Sequence, residues 1–105
     1  MVSTEVIERA AHRLAAEAGP GARVVLFGSY ARGDAGPHSD VDFLVIEPRV
    51  AGRHAEMVRL RRALRGLAAP IDVLVYSEEQ ANRYGRSWGH VVRHALEEGR
   101  VLAAS

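Results

Sequence analysis

Two neighbouring stretches, Val24-Val25-Leu26-Phe27-Gly28-Ser29-Tyr30-Ala31-Arg32-Gly33 and Ser39-Asp40-Val41-Asp42-Phe43-Leu44-Val45-Ile46, join apolar runs to residues that such runs ordinarily lack. The first run is short and β-branched and reads as a buried strand. Gly28-Ser29 break it, and residues 30–34 follow as a short helix closing near Gly33. Gly36-Pro37 marks a loop, and a second strand is predicted over 41–47, ended by Pro48. Aspartate is depleted in strands, and an ionised carboxylate is seldom buried without a partner. Asp40 and Asp42 nevertheless enter this second strand, and their spacing of two places both carboxylates on one face. Ile71-Asp72-Val73-Leu74-Val75 repeats the anomaly in a third apolar run. If that third strand lies beside the second, three carboxylates converge.

The flanking sequence supplies helices. After Ser3, the apolar residues Val6, Ile7, Ala10, Leu14 and Ala18 form a helical stripe closed by Gly19-Pro20. Met57, Leu60, Leu64 and Leu67 share one face of a helix predicted over about 52–68. Beyond the third strand, Ser77 and Gln80 form a capping-box pattern for a further helix. Trp88, Val91, Val92, Ala95 and Leu96 line a last helix, which Gly99 stops. The expected class is α/β (α+β), a small mixed sheet of at least three strands covered by helices, in a single domain over 1–105. Strand directions stay open, although the short connection between the first two strands permits an antiparallel pair.

Composition removes several chemistries. The chain of 105 residues is 48% apolar, which suits one modest core. It has no cysteine, so disulfide frameworks, zinc ribbons and thiol nucleophiles are excluded. All 14 basic residues are arginine, which excludes a P-loop lysine, a Schiff-base lysine and a pyridoxal-phosphate anchor. A net charge of +1 offers no bulk field for nucleic acid, so direct nucleic-acid binding is not expected. No apolar run approaches the roughly 20 residues of a membrane helix. The first residues lack a basic segment followed by an apolar one, and a cytoplasmic domain is the expectation.

Three clustered carboxylates are costly alone, since two unit charges 4 Å apart repel by about 4 kcal/mol at an effective dielectric of 20. A divalent cation relieves this, and carboxylate oxygens favour Mg²⁺ or Mn²⁺ over zinc. A pair of such ions suits in-line displacement at phosphorus. Any one of these aspartates, taken singly, reads as half of an ion pair with an arginine; all three together do not. The Gly28-Ser29 turn lets backbone approach a phosphate, the serine hydroxyl donates, and the Arg32 fork could hold a phosphate nearby. His38 and Ser39 border the aspartates by position alone. His90 and His94 have the spacing of a zinc pair, but Val91 stands where a glutamate would follow and no third ligand is near, so a solvated or partner-facing pair is expected. Arg59, Arg61, Arg62 and Arg65 read first as a solvated helix face, and second as a docking surface for an acidic partner or RNA. Trp88 is expected to be a core or interface anchor, because it begins an apolar stripe.

Gly28-Ser29, ten intervening residues and then Asp40-Val41-Asp42 resembles the signature of the DNA polymerase β-type nucleotidyltransferase superfamily. Asp72 matches the third carboxylate of that superfamily, and the wording GSYARG, SDVDFLV and PIDVLV resembles its minimal nucleotidyltransferases in particular. The resemblance covers about Val24 to Tyr76. It implies a polymerase β-like nucleotidyltransferase fold in which Asp40 and Asp42 bind two Mg²⁺ ions (Mn²⁺ being an alternative). Asp72 would complete the first metal site and help deprotonate the acceptor. Gly28 and Ser29 would hold the triphosphate, assisted by Arg32. The implied reaction moves AMP from ATP to a hydroxyl, with pyrophosphate leaving. Larger members use extra domains to hold the acceptor, so here the acceptor is expected on another molecule. Minimal nucleotidyltransferases are often antitoxins of HEPN-type ribonuclease toxins, and some adenylylate a toxin tyrosine. That is the expected function, in a hetero- or homo-oligomer. The alternatives are an antitoxin acting by contact alone, and a small-molecule (antibiotic) nucleotidyltransferase completed by a second subunit.

Overall fold

In a computed structural model describing residues 1–105, the Ser3 hydroxyl accepts from the Val6 amide at 3.2 Å and opens helix α1 (Thr4–Ala18). Its buried face is Ile7, Ala10, Ala11, Leu14 and Ala15. Strand β1 (Arg23–Phe27) follows, then the single turn α2 (Ser29–Arg32) and strand β2 (Val41–Glu47). Helix α3 (Arg53–Arg62) leads to strand β3 (Ile71–Ser77), helix α4 (Glu78–Tyr84), helix α5 (Val91–Glu98) and strand β4 (Arg100–Ala104). The capping box read at Ser77 and Gln80 is present, each side chain bonding the other's amide.

The sheet order is β3-β2-β1-β4. β1 runs antiparallel to both β2 and β4, and β2 runs parallel to β3, so the sheet is mixed as expected. A parallel pair needs a crossover, which α3 supplies. One face (Val24, Leu26, Val41, Phe43, Val45, Val73 and Val75) packs against α1 and Leu60 of α3. The other (Val25, Phe27, Leu44, Ile46 and Tyr76) packs against Ala81 of α4 and Val92 and Ala95 of α5. Burial on both faces explains why the β1 and β2 sequences are continuously apolar rather than alternating. No helix is long and apolar enough to cross a membrane.

Two expectations are revised, and one element is added. Helix α3 stops at Arg62 rather than near residue 68, because the chain tightens into i→i−3 turns (Ala63 to Leu60, Leu64 to Arg61, Arg65 to Arg62) and then passes through Gly66 at φ +88°. The apolar spacing of Leu64 and Leu67 survives those turns and imitates a longer helix. The last helix starts at Val91, with His90 Nδ1 accepting the Val92 amide at 3.1 Å as its cap. Trp88 lies before it, 87% exposed, and so is no core anchor; the Arg93 guanidinium covers its ring at 4.1 Å. Finally, the segment after Gly99 forms a fourth strand. Only Ala103 of β4 is buried, so its sequence carried little strand signal.

Candidate active site

The ends of four strands meet at one edge of the sheet: the close of β1 and the starts of β2, β3 and β4. Antiparallel pairing sets Phe27 opposite Asp42, so the Gly28-Ser29 turn begins directly beside that aspartate. Parallel pairing sets Asp42 opposite Asp72. Adjacent strands are about 4.8 Å apart, so these two carboxylates are neighbours on the sheet. By strand alternation both share the face of Leu44, Ile46 and Leu74, the side covered by α4 and α5. Asp40 lies two residues upstream of Asp42, just outside β2.

Asp42 is half-buried, while Asp40 and Asp72 are exposed. Burial pushes the Asp42 carboxyl above its usual range, and the charges of Asp72 and Asp40 add to the rise; Arg32 opposes it. The electrostatic coupling predicted from spacing is therefore present. The Asp72 carboxylate lies 3.7 Å from the Arg61 guanidinium. No three acidic or histidine side chains, as they stand, are gathered tightly enough to enclose an ion. The donors are all carboxylate oxygens, the chemistry that suits Mg²⁺.

Gly28 adopts φ +77°, in the region that side chains disfavour, and a Cβ at this position would overlap the Asp42 carboxylate. Both conditions demand glycine. Arg32 closes α2, where its Nε bonds Asp34 Oδ2 at 3.2 Å and its Nη1 bonds Glu98 Oε2 at 2.8 Å. Asp34 thus helps to orient Arg32.

Glu98 is the site residue that sequence reasoning missed. It is the last residue of α5, yet its side chain is only 12% exposed. Its Oε2 accepts the Gly28 amide at 2.9 Å as well as Arg32, and its Oε1 lies 2.5 Å from His94 Nε2. A signal existed: an acid at a helix C-terminus opposes the helix dipole and needs a reason to be there. The two histidines also separate. His90 caps α5 and stacks on Tyr84, with centroids 4.4 Å apart, while His94 faces Glu98. A cavity of about 220 Å³ beside His94 is lined by Trp88, Gly89, His90, Arg93, His94 and Glu97.

A second perturbed carboxyl lies at the opposite end of β2, about 17 Å along the strand from Asp42. Glu47 is 5% exposed, and its Oε2 has no partner. Burial first, and then the neighbouring Glu56, push it up to about 8. Arg59 grips Glu56 through two bonds of 2.7 Å and holds Glu56 low; it also bonds the Glu17 carboxylate at 2.9 Å. Arg59 is therefore committed to a network joining α1 and α3 rather than to a free solvated face.

Comparison with known proteins identifies the family. Residues 7–103 match the family model described as the nucleotidyltransferase domain. A Methanocaldococcus jannaschii protein named as a protein adenylyltransferase, MJ0604, is 36% identical over 80 residues, which is 76% of each chain. A Sulfolobus solfataricus protein described as a nucleotidyltransferase shares the fold at TM-score 0.63 and 21% identity, over 92% of this chain and 76% of that one. A structure of a toxin–antitoxin with AMP-PNP does so at TM-score 0.59 and 22% identity, over 93% of this chain and 73% of that one. The paired strands bring Asp42 and Asp72 together beside the Gly28 turn, and the chain belongs to the nucleotidyltransferase domain family, as a nucleotidyltransferase.

Proposed function

We propose that this nucleotidyltransferase transfers AMP from ATP to a hydroxyl of a partner protein, and that the partner is a HEPN-type ribonuclease toxin modified on a tyrosine. The observation that carries the reading is the placement of Asp42 beside both Asp72 and the Gly28 turn. Carboxylates then face the reacting phosphorus while the turn faces the phosphates that leave. Support for a protein acceptor comes from the relative named as a protein adenylyltransferase. Support for a toxin partner and an adenine nucleotide comes from the fold shared with the toxin–antitoxin that holds AMP-PNP.

Asp40, Asp42 and Asp72 would hold Mg²⁺, which when bound supplies charge neutralisation at the attacking and leaving oxygens. Gly28 and Ser29 position the triphosphate and Arg32 borders it. The acceptor oxygen bonds to the α-phosphorus, the bond to the pyrophosphate oxygen breaks, and Asp72 helps take the hydroxyl proton. Incubation with the toxin, labelled ATP and Mg²⁺ tests this. Label is expected on the toxin with the wild type and not with Asp42→Asn. A toxin neutralised equally well by Asp42→Asn, without label, would establish neutralisation by contact instead.

A further inference from the structure

We propose that Glu98 is a positioning residue for nucleotidyl transfer: its carboxylate latches the Gly28 turn and Arg32 against Asp42. The inference rests on the reading of this edge as the nucleotide site and names a further residue that serves it.

One oxygen, Glu98 Oε2, joins the Gly28 amide and the Arg32 Nη1 at 2.9 and 2.8 Å. A carboxylate at the end of a helix, close to Asp42, faces an unfavourable field from both. Charge-assisted bonds to an amide and a guanidinium offset this, and their removal would leave a nearly buried carboxylate with only the His94 contact at Oε1. The carboxylate is also held on rigid elements. The Gly99 amide closes α5 on the Ala95 carbonyl at 2.8 Å, and a Cβ on Gly99 would stand 2.7 Å from both the Leu26 carbonyl and Val25 Cγ1. Arg100 then pairs with Leu26 in the sheet. The chain around Glu98 therefore has no slack relative to β1, whose next residues form the turn.

The latch has a consequence for Arg32. Its Nε is held by Asp34 and its Nη1 by Glu98, which fixes the plane of the guanidinium and leaves Nη2 uncommitted. Arg32 thus meets phosphate as a pre-oriented group, whose ordering entropy is lost on folding rather than on binding.

The test compares wild type, Glu98→Gln and Glu98→Ala in three measurements: Gly28 amide exchange by NMR in the nucleotide-free protein, affinity for a non-hydrolysable ATP analogue with Mg²⁺, and melting temperature. In Glu98→Ala we expect Gly28 exchange to accelerate and nucleotide affinity to fall, each by about ten-fold. Glu98→Gln keeps an acceptor for the Gly28 amide and is expected to recover most of both. If Glu98→Ala does not fold, Glu98→Asp, one methylene too short to reach, replaces it with the same expectation. Tighter nucleotide binding in Glu98→Ala would overturn the inference, because Glu98 would then be an internal stand-in for phosphate that the nucleotide must displace. A lower melting temperature with unchanged exchange and affinity would overturn it too, leaving a purely structural residue. If the wild type itself binds no adenine nucleotide, the nucleotide-site reading falls and the role in transfer falls with it. Gly28 exchange then still reports separately whether the latch exists.

Discussion

Gly28 and Asp42 are packed so closely that a methyl group on the glycine would occupy the space of the aspartate's carboxylate. The turn proposed to face phosphate and the carboxylate proposed to face the reacting centre are one packed unit, made by the pairing of Phe27 with Asp42. Gly28→Ala should therefore fail on two counts, a disfavoured positive φ and displacement of Asp42. We expect a loss of about 1–3 kcal/mol in stability together with loss of transfer. A melting temperature lower by several degrees checks the first, at about 4–8 °C per kcal/mol for a chain of this size. An active, equally stable Gly28→Ala protein would contradict the packing described.

Removing the charge of Asp42 should separate stability from activity. Its carboxylate is half-buried beside Asp72 and Asp40. Asp42→Asn relieves that repulsion and should keep or raise the melting temperature while abolishing transfer, as strained active-site charges commonly do. A marked drop in thermal stability would assign Asp42 a structural role instead.

Mg²⁺ should stabilise the folded chain by mass action, by about RT ln(1 + [Mg²⁺]/Kd). Thermal melts with and without millimolar Mg²⁺ should differ in the wild type and coincide in the Asp40→Asn/Asp42→Asn double variant. Equal shifts in both proteins would place the ion elsewhere.

The Glu47 carboxyl predicts a pH dependence unrelated to the active site. Its folded value of about 8 lies above its ordinary 4.5. Below 4.5 both folded and unfolded chains hold the proton, and the stabilisation is complete. Between 4.5 and about 8 only the folded chain holds it, so stability declines as pH rises through that window. Glu56, held low by Arg59, acts oppositely: its contribution is present above its ordinary 4.5 and is lost as pH falls below it. Denaturant melts from about pH 5 to about pH 8 should show a decline of up to a few kcal/mol in the wild type. Glu47→Gln, neutral throughout, should flatten that decline; an unchanged slope would mean that another group titrates.

The amino-acid order alone carried the local features. The alternation of apolar runs with glycine turns placed β1, β2 and β3, because a strand buried on both faces needs a continuous apolar sequence. Aspartates inside those runs marked the candidate site, since a carboxylate there is costly without a partner or an ion. Strand directions, the abreast placement of Asp42 and Asp72, and the shared face they occupy came from pairing between residues distant in the chain. β4 was hidden because a strand with one buried residue is specified by the free edge of β1 more than by its own side chains. With β4 hidden, Glu98 was hidden too: the sheet register returns the chain to the Gly28 turn from 70 residues away. Local sequence fixes which chemistry each residue can offer; only the packing of strand ends decides which of those residues meet.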